Sequence, residues 1–335
     1  MTTTDKLWWI KVINKKFDYE FSYSMIKPKY WLTWFLIILA LLLSKIPAKL
    51  RDPILCALAY CGSNLSNKGR RRAEINLKLC MPLLTHTQRV KIINKMYVTG
   101  LQSLINLAEL AYNQETFKKR VIWHDKDIIT NLRDTQQNIL FIIPHGVSID
   151  LPAMLLASEG YKIAIIIKKQ KNEVVNYFWN YLRSRFGGRI HVRENGIKPF
   201  LNSLRDGYYG YYLPDQDHGE KQSLFVDFFS TYKATVPAIG KIMRICNVRS
   251  VPLFPVYDSK NHQLHIFVKP PMDDLLNADE LTQARRMNEV VEYFINRHPE
   301  QYNWTLKFLK TRKNGEKEPY GYSKIHAHNE KYHDK

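Results

Sequence analysis

The stretch Ile139-Leu140-Phe141-Ile142-Ile143-Pro144-His145-Gly146-Val147-Ser148-Ile149-Asp150 decides how the rest of the chain is interpreted. Its apolar run, residues 139–143, predicts a buried β-strand that ends at Pro144. A helix is then predicted to begin near Ser148, a residue type suited to an N-cap, with Pro152 tolerated in its first turn. The pattern therefore predicts one tight strand-to-helix turn with His145 and Asp150 on either side of it.

His145 and Asp150 are the first candidates for chemistry, because side chains that flank a tight turn can meet. A carboxylate that orients an imidazole prepares it to act as a general base. The spacing alone is weak support, since a chain with 11 His is expected to contain about one such pair by chance. The position at the end of a buried strand adds support, because α/β proteins place their ligand sites there. A strand-end turn with no catalytic role is the alternative.

The composition allows a large core and points to negatively charged partners. The chain has 335 residues, enough for one large domain or two, and carries 50 Lys and Arg against 31 Asp and Glu, a formal net charge of +19. Such an excess favours nucleic acid, an anionic membrane surface, phosphorylated substrates or an acidic carrier protein. The four cysteines, Cys56, Cys61, Cys80 and Cys246, show no CxxC pair, which is typical of buried thiols in a reducing compartment.

An apolar run from Trp31 to Leu43, interrupted only by Thr33, is the strongest targeting signal. It is shorter than the ~20 residues that comfortably span a bilayer core. It also lies too far from the N-terminus, and lacks the small-residue cleavage pattern, for a cleavable signal peptide. We interpret the segment, about residues 30–46, as a membrane anchor, either a marginal span or an interfacial helix. A buried core helix is the alternative.

The pattern along the chain predicts an α/β fold in which a mixed, mostly parallel sheet is covered by helices on both faces. Helical patterns occupy residues 53–113, and strands and helices alternate from about residue 138. The predicted strands are 138–143, 161–167, 190–193, 208–213, 248–257 and 264–268, and the predicted helices 148–158, 172–186, 197–204, 235–246 and 279–297. We divide the chain into an N-terminal segment (1–52), a main domain (53–312) and a flexible polar tail (313–335).

The turn Asp215-Gln216-Asp217-His218-Gly219, which follows Pro214 at the end of a predicted strand, is a second candidate site. Two acids and a histidine within four residues could coordinate a metal. The alternative is a polar turn whose acids cap backbone donors. We favour a role without a metal, because no second His, Asp or Glu cluster completes a ligand set. A carboxylate here is then expected to hold an arginine or to shape the mouth of a site.

A loose series of arginines, Arg183, Arg185, Arg189 and Arg193, runs off a predicted helix through Gly187-Gly188. The planar guanidinium group suits phosphate and carboxylate, so the series could bind phosphates of a substrate or a carrier. A solvated basic face is the alternative.

Several of these stretches together resemble bacterial lipid A biosynthesis acyltransferases, over residues 25 to 315. The His-x4-acid motif is shared with the wider glycerolipid acyltransferases. The segment 185–199 is more particular, and is similar to the branch that usually transfers myristate. In chain order, the matching stretches are the His145–Asp150 motif, residues 183–193, the turn 214–219, Ala234-Thr235, residues 251–255 and residues 299–304.

The resemblance implies a glycerolipid-acyltransferase-like fold and an inner-membrane enzyme whose active site faces the cytoplasm. Such an enzyme would move a fatty acyl chain, with myristoyl favoured over lauroyl, from acyl carrier protein to a hydroxyacyl hydroxyl of a Kdo-lipid A precursor. His145 would be the catalytic histidine and Asp150 its acidic partner, where many family members carry Glu. No cofactor, no metal and no nucleic acid partner is expected. The residues that we expect to bind substrate are Arg183, Asp215, Arg185 and Arg189.

Other functions stay open beside this one. A glycerolipid acyltransferase that makes a phospholipid would use the same histidine and acid. A non-catalytic membrane-surface protein would bind anionic lipid through its basic face. Nucleic-acid binding rests on net charge alone, since the sequence contains no recognised DNA- or RNA-binding motif.

Overall fold

The computed structural model describes residues 20–63 and 67–321. The first part of the predicted N-terminal segment and the end of the predicted tail lie outside the described residues. Residues 313–321, at the start of that tail, are mostly exposed, but one of them is anchored in the domain. Tyr320 is buried, and its hydroxyl donates a hydrogen bond of 2.5 Å to Oδ1 of Asn76.

A central sheet organises the fold. The strands are β1 Val121–His124, β2 Asn138–Ile142, β3 Ile163–Ile167, β4 Arg189–Val192, β5 Tyr209–Tyr212, β6 Leu224–Phe228, β7 Thr231–Thr235, β8 Val248–Asp258 and β9 Gln263–Val268. Seven of them form one sheet in the order β1-β9-β8-β2-β5-β3-β4, while β6 and β7 form a separate antiparallel pair. Within the large sheet only β8 and β9 pair antiparallel. The predicted mixed, mostly parallel sheet is confirmed.

Helices cover both faces of this sheet. They are α1 Trp31–Ser44, α2 Ala48–Ser63, α3 Asn67–Cys80, α4 His86–Tyr112, α5 Gln114–Lys118, α6 Asp127–Asp134, α7 Asp150–Ser158, α8 Glu173–Ser184, α9 Lys198–Arg205, α10 Ile239–Cys246 and α11 Glu280–Arg297. One core lies between the sheet and α3, α9, α10 and α11, and a second between the sheet and α5, α6, α7 and α8. The long helix α4 contributes to both, so it ties the two layers together.

The apolar run 139–143 belongs to a central strand that is buried on both faces. Side chains of β2 and of Ile143 alternate between the two cores: Ile139, Phe141 and Ile143 enter one, Leu140 and Ile142 the other. All five are fully buried, and each such burial contributes roughly 1.5–3 kcal/mol. A strand buried on both faces has no polar side to show, which explains why it reads as a continuous apolar run.

The helix predicted at 235–246 is shorter than expected. Thr235 is the last residue of β7, and the helix begins only at Ile239. Pro237 accounts for the difference, because a proline disfavours the helical conformation in the residue before it. The predicted start of this helix at Thr235 was therefore wrong. The β6–β7 hairpin was not predicted.

Of the two forms of membrane anchor that we predicted, a marginal span or an interfacial helix, the span is not supported. Among the described residues, no helix is both long enough and apolar enough to cross a membrane. Helix α1 has 14 residues and so measures about 21 Å, against a bilayer core of about 30 Å. The alternative of a buried core helix fails as well, since Leu32 is 69% exposed and Phe35 60% exposed.

Gly210 of β5 offers a test of how tightly the core is packed. A Cβ added there would lie 2.6 Å from Leu204, 2.8 Å from Leu140 and 2.9 Å from Phe200, all buried side chains. We expect Gly210→Ala to destabilise the protein by about 1–3 kcal/mol through overpacking, measured as a lower Tm in thermal unfolding.

Gly62→Ala is the matched control. An added Cβ at this exposed position of α2 meets nothing within 4 Å, so the higher helix propensity of Ala should leave stability unchanged or raise it by up to about 1 kcal/mol. Equal Tm values for the two variants would contradict a tightly packed β5.

Candidate functional site

His145 and Asp215 form the best-defined polar contact at the ends of the central strands. Nδ1 of His145 lies 2.6 Å from Oδ1 of Asp215, and the backbone N–H of His145 donates to Oδ2 at 2.8 Å. The carboxylate therefore holds the histidine by both its ring and its backbone. The His145 side chain is 25% exposed, and its other nitrogen, Nε2, takes no part in the contact with Asp215.

The Asp215 carboxylate is buried and fully engaged. Its side chain is 1% exposed, and Oδ2 also accepts a hydrogen bond of 2.8 Å from the hydroxyl of Tyr302. Burial alone would raise the pKa of Asp215, but the His145 charge and these hydrogen bonds outweigh it, so the pKa lies below its ordinary value. Asp215 is thus ionised at neutral pH, and it favours a proton on Nδ1 of His145.

The backbone around His145 is fixed by the segment that follows α11. The His145 carbonyl accepts from the N–H of Asn303 at 2.9 Å, and the N–H of Val147 donates to the carbonyl of Gln301 at 2.8 Å. Gly146 allows this approach, because a Cβ there would lie 3.3 Å from the Gln301 carbonyl oxygen. The histidine is therefore clamped on both sides of its own residue.

Asp150 has different partners from those we predicted. Its two oxygens accept hydrogen bonds of 2.9 Å from Nε and Nη2 of Arg183, and Oδ2 also accepts from the indole N–H of Trp179 at 2.9 Å. The side chains of His145 and Asp150 thus engage separate partners, Asp215 and Arg183. A catalytic role for Asp150 stays a prediction.

Local structure explains why Asp150 contacts Trp179 and Arg183. Helix α7 begins at Asp150 rather than near Ser148, and the Ser148 hydroxyl forms a 2.6 Å hydrogen bond with Ser103 instead of capping the helix. Trp179 and Arg183 lie four residues apart on α8, so they present both donors on one face of that helix. Asp150 binds that face.

In the turn after β5, Asp217, unlike Asp215, accepts its hydrogen bonds from loop residues other than His145. Asp217 accepts from the backbone N–H of Gly219 at 3.0 Å and from the backbone N–H and hydroxyl of Thr311, each at 2.7 Å. Burial, with the nearby charges of Arg193 and Lys233, lowers the pKa of His218. In the part of the chain that the structure describes, no group of His, Cys, Asp or Glu could hold a metal ion.

The other two predicted substrate-binding arginines contact the protein itself. Arg185 donates to the carbonyl of Ala111, and its guanidinium carbon lies 5.0 Å from the centre of the Tyr112 ring. Arg189 pairs with Asp206 and lies over Tyr208. The structure therefore brings Arg183 to Asp150 and gives Arg185 and Arg189 partners on other elements. Substrate binding by these arginines stays a prediction.

Comparison with known proteins decides which family carries this arrangement. The model of the bacterial lipid A biosynthesis acyltransferase family matches residues 18–311. The chain belongs to that family. It is 50% identical, over 92% of its length and 95% of the relative's, to the lipid A biosynthesis myristoyltransferase of Escherichia coli K12. It is 49% identical to lipid A biosynthesis acyltransferase 2 of Shigella flexneri, over 93% of this chain and all of the relative.

Sequence identity distinguishes the relative named as a myristoyltransferase from the one named as a lauroyltransferase. The Escherichia coli lipid A biosynthesis lauroyltransferase is 26% identical over 88% of this chain and 97% of its own, about half the identity of the myristoyltransferase. The resemblance to the myristoyl-transferring branch of the lipid A acyltransferases is thus confirmed.

Sequence reasoning missed three residues of this lipid A acyltransferase site. Tyr302 and Trp179 hold the two carboxylates, and Lys233 of β7 is fully buried close to Asp215 and Asp217. The stretch 299–304 entered only through the family resemblance. A lysine in an unpredicted hairpin gave no signal at all.

Lys233 should make the stability of this acyltransferase depend on pH. Burial lowers its pKa from 10.5 to about 8, although Asp215 and Asp217 oppose the shift. Below pH 8 the native state therefore holds a buried ammonium, at a cost of about 3 kcal/mol that fades as pH rises towards 10.5. We expect Lys233→Met to raise the free energy of unfolding at pH 7, with a gain that shrinks between pH 8 and 10.5 in denaturant titrations.

Lys241→Met is the control, because Lys241 is exposed on α10 and should show no such trend. A loss of stability in Lys233→Met that is equal at every pH would mean that the hydrogen bonds of the lysine to Ala234 and Thr235, rather than its charge, dominate.

Proposed function

We propose that this acyltransferase moves a myristoyl chain from acyl carrier protein to a hydroxyacyl hydroxyl of a Kdo-lipid A precursor, with His145 as the general base. The observation that carries the proposal is the 2.6 Å contact between Nδ1 of His145 and the buried Asp215, in a member of this family. The 50% identity to a lipid A biosynthesis myristoyltransferase supports the choice of chain.

The first step is removal of a proton from the acceptor. A hydroxyl is a poor nucleophile near neutral pH, so a positioned base must take its proton as it attacks. Because Asp215 favours the proton on Nδ1, the lone pair of His145 is on Nε2, the nitrogen that does not contact Asp215. Nε2 takes the hydroxyl proton while the acceptor oxygen forms a bond to the thioester carbonyl carbon.

The second step releases the carrier. The carbon–sulfur bond breaks, the carrier leaves as a thiolate, and the imidazolium returns its proton to that sulfur. The products are the acyl ester and the free carrier thiol, and His145 is neutral again. The Asp215 carboxylate stabilises the imidazolium between the two steps, as a buried acid beside a catalytic histidine does. A thiolate needs little acid assistance, so no further proton donor is required.

Asp150 takes a positioning role in this proposal. Its ion pair with Arg183 joins the first residue of α7 to α8, and α7 follows directly from the turn that carries His145. The pair thereby fixes the direction in which the chain leaves the site. The general base is thus oriented by Asp215, whereas the sequence pattern had suggested Asp150.

An in vitro transfer assay tests the reaction and separates the two acids. Radiolabelled Kdo-lipid A precursor is mixed with carrier protein loaded with C12, C14 or C16 chains. We expect wild type to use C14 fastest, since one methylene is worth about 1–3 kcal/mol in a fitted groove. His145→Ala should lower kcat about 10²–10⁴-fold, and Asp215→Asn should lower it comparably because the imidazole loses its oriented tautomer. Asp150→Asn should lose less.

Asp134→Asn, at an exposed position on α6, is the matched control and should be as active as wild type. If Asp150→Asn abolished transfer while Asp215→Asn kept it, Asp150 would be the working acid and the present assignment would be wrong. Transfer to a glycerolipid acceptor but not to the lipid A precursor would favour the glycerolipid alternative.

We also propose that α1 and α2 dock on the cytoplasmic face of the inner membrane as interfacial helices. Both helices expose large apolar side chains, and the chain has a net charge of +19. A basic protein that exposes this much apolar surface is typical of proteins that bind an anionic lipid surface. The exposed side chains include Trp31, Leu32, Phe35, Leu36 and Leu42 of α1 and Leu50, Ile54 and Leu58 of α2.

Sedimentation with anionic phospholipid vesicles tests the docking. We expect the double variant Leu32→Ser/Leu36→Ser to lose at least about tenfold in vesicle partitioning, because each buried leucine contributes roughly 1.5–3 kcal/mol. Leu83→Ser/Leu281→Ser is the matched control, since these leucines are 97% and 59% exposed and lie outside α1 and α2. An equal loss in both double variants would sink the proposed surface.

A further inference from the structure

A cavity lies between β8, β9 and α11. Its volume is about 160 Å³, many times what one water molecule needs. Besides His298, four aromatic side chains and two cations line it: Phe254, Phe267, Tyr293, Phe294, Lys269 and Arg297. We call it the α11 pocket.

Both cations of the α11 pocket lie against aromatic rings and have no carboxylate partner among the residues that the structure describes. Nζ of Lys269 is 5.8 Å from the centre of the Tyr293 ring, and the guanidinium carbon of Arg297 is 3.7 Å from the same centre. Other arginines of α11 differ, since Arg285 pairs with Glu292 and Arg286 with Glu289. The helix therefore neutralises its cations elsewhere and leaves positive charge at the pocket.

The aromatic walls are held flat by stacking. Phe254 stacks on Phe294 with ring centres 5.5 Å apart and on Tyr293 at 5.6 Å. Phe267, on the opposite strand, stacks on His298 at 6.1 Å. Rings that support one another cannot turn freely, so the pocket presents fixed apolar faces beneath its two charges.

The pocket is level with the proposed base. In the parallel pairing of β2 and β8, Ile142 lies opposite Pro252, which places Phe254 beside the turn that leads to His145. Phe267 of β9 is the partner of Phe254. Neighbouring strands are about 4.8 Å apart, so the pocket lies about 5–10 Å to the side of the end of β2. Phe294 forms the wall between them, since a Cβ on Gly146 would lie 3.6 Å from its ring.

We propose that the α11 pocket binds an anionic sugar group of the lipid acceptor, a phosphate or carboxylate carried on a sugar ring; this rests on the proposed function. Lys269 and Arg297 supply charge-assisted hydrogen bonds to the anion, and the aromatic faces cover the apolar face of the ring. An acyl chain would leave both cations without a partner, which argues against the pocket being an acyl groove.

Binding in this place would serve the transfer in a definite way. A sugar anchored beside the end of β2 restricts where the attacking hydroxyl can lie, which lowers the entropy cost of reaching the thioester. It also discriminates between acceptors, because one without the charged group forms no ion pair with the half-buried Lys269 or the exposed Arg297.

A binding experiment in the His145→Ala background tests this without relying on turnover. The probes are the phosphorylated Kdo-lipid A precursor in detergent micelles, the same lipid after removal of its phosphates and Kdo sugars, and acylated carrier protein. We expect Lys269→Gln/Arg297→Gln to weaken binding of the charged lipid about tenfold or more. Binding of the uncharged lipid and of the carrier should stay unchanged.

Two further variants make the result specific. Lys95→Gln/Lys241→Gln removes the same charge from exposed helix positions elsewhere and should bind the charged lipid as wild type does. Tyr293→Leu keeps both cations but removes one wall, and should weaken binding of the charged lipid severalfold. Thermal unfolding of each variant checks that it is folded.

The outcomes separate the pocket from the transfer reaction. Equal losses in the two double variants, or no loss in either, would overturn the pocket as an anion site. Weaker binding of the carrier alone would overturn the acceptor as its ligand, and would assign the cations to a phosphate on the carrier. A selective loss for the charged lipid supports the pocket even if no transfer is found with His145 intact.

Discussion

The buried Asp215 carboxylate is the group on which the rest of the site depends. Its oxygens receive the ring and backbone of His145 and the hydroxyl of Tyr302, so three distant parts of the chain meet at one charge. A buried carboxylate is stable only while such donors surround it, and removing one leaves an uncompensated charge. The hydrogen bonds that stabilise the buried Asp215 carboxylate therefore also hold His145 in place. A change that weakens them is expected to affect both the stability of the site and its geometry.

Parallel strand pairing brings these parts together. β2 and β5 are neighbours, and Ile143 donates its N–H to the carbonyl of Tyr212 at 3.0 Å. The residues that follow each strand, His145 and Asp215, consequently leave the sheet at the same edge. This is the edge where parallel sheets commonly place ligands. The segment after α11 then closes over it with Tyr302, which anchors the acid from the other side.

The sequence predicted the local parts of this arrangement better than the contacts between them. The strand at 138–143 and the helices at 172–186 and 279–297 lie within two residues of β2, α8 and α11, because their apolar periodicity is local. Asp150 was predicted as the partner of His145 because a nearby acid is visible in sequence, whereas Asp215, the acid that His145 contacts, is 70 residues away and arrives through strand pairing. The helix predicted from residue 235 was too long because the effect of Pro237 was not considered. The β6–β7 hairpin, which ends at Thr235, was not predicted for the same reason.

The cations of the chain differ in their partners, and this difference separates cations that stabilise the fold from those proposed to bind a ligand. Three arginines that are buried or mostly buried form ion pairs with acids: Arg51 and Arg120 both contact Glu109, at 2.5 and 2.6 Å, and Arg183 contacts Asp150. Lys269 and Arg297 lie instead over aromatic rings, where the ring faces attract a cation only weakly compared with a carboxylate in direct contact. Arg297 is exposed and also donates to the Tyr293 carbonyl at 3.2 Å, whereas Lys269 is half-buried. An anion that enters the α11 pocket would gain both charges at once, in a pocket whose wall, Phe294, approaches the residue after His145.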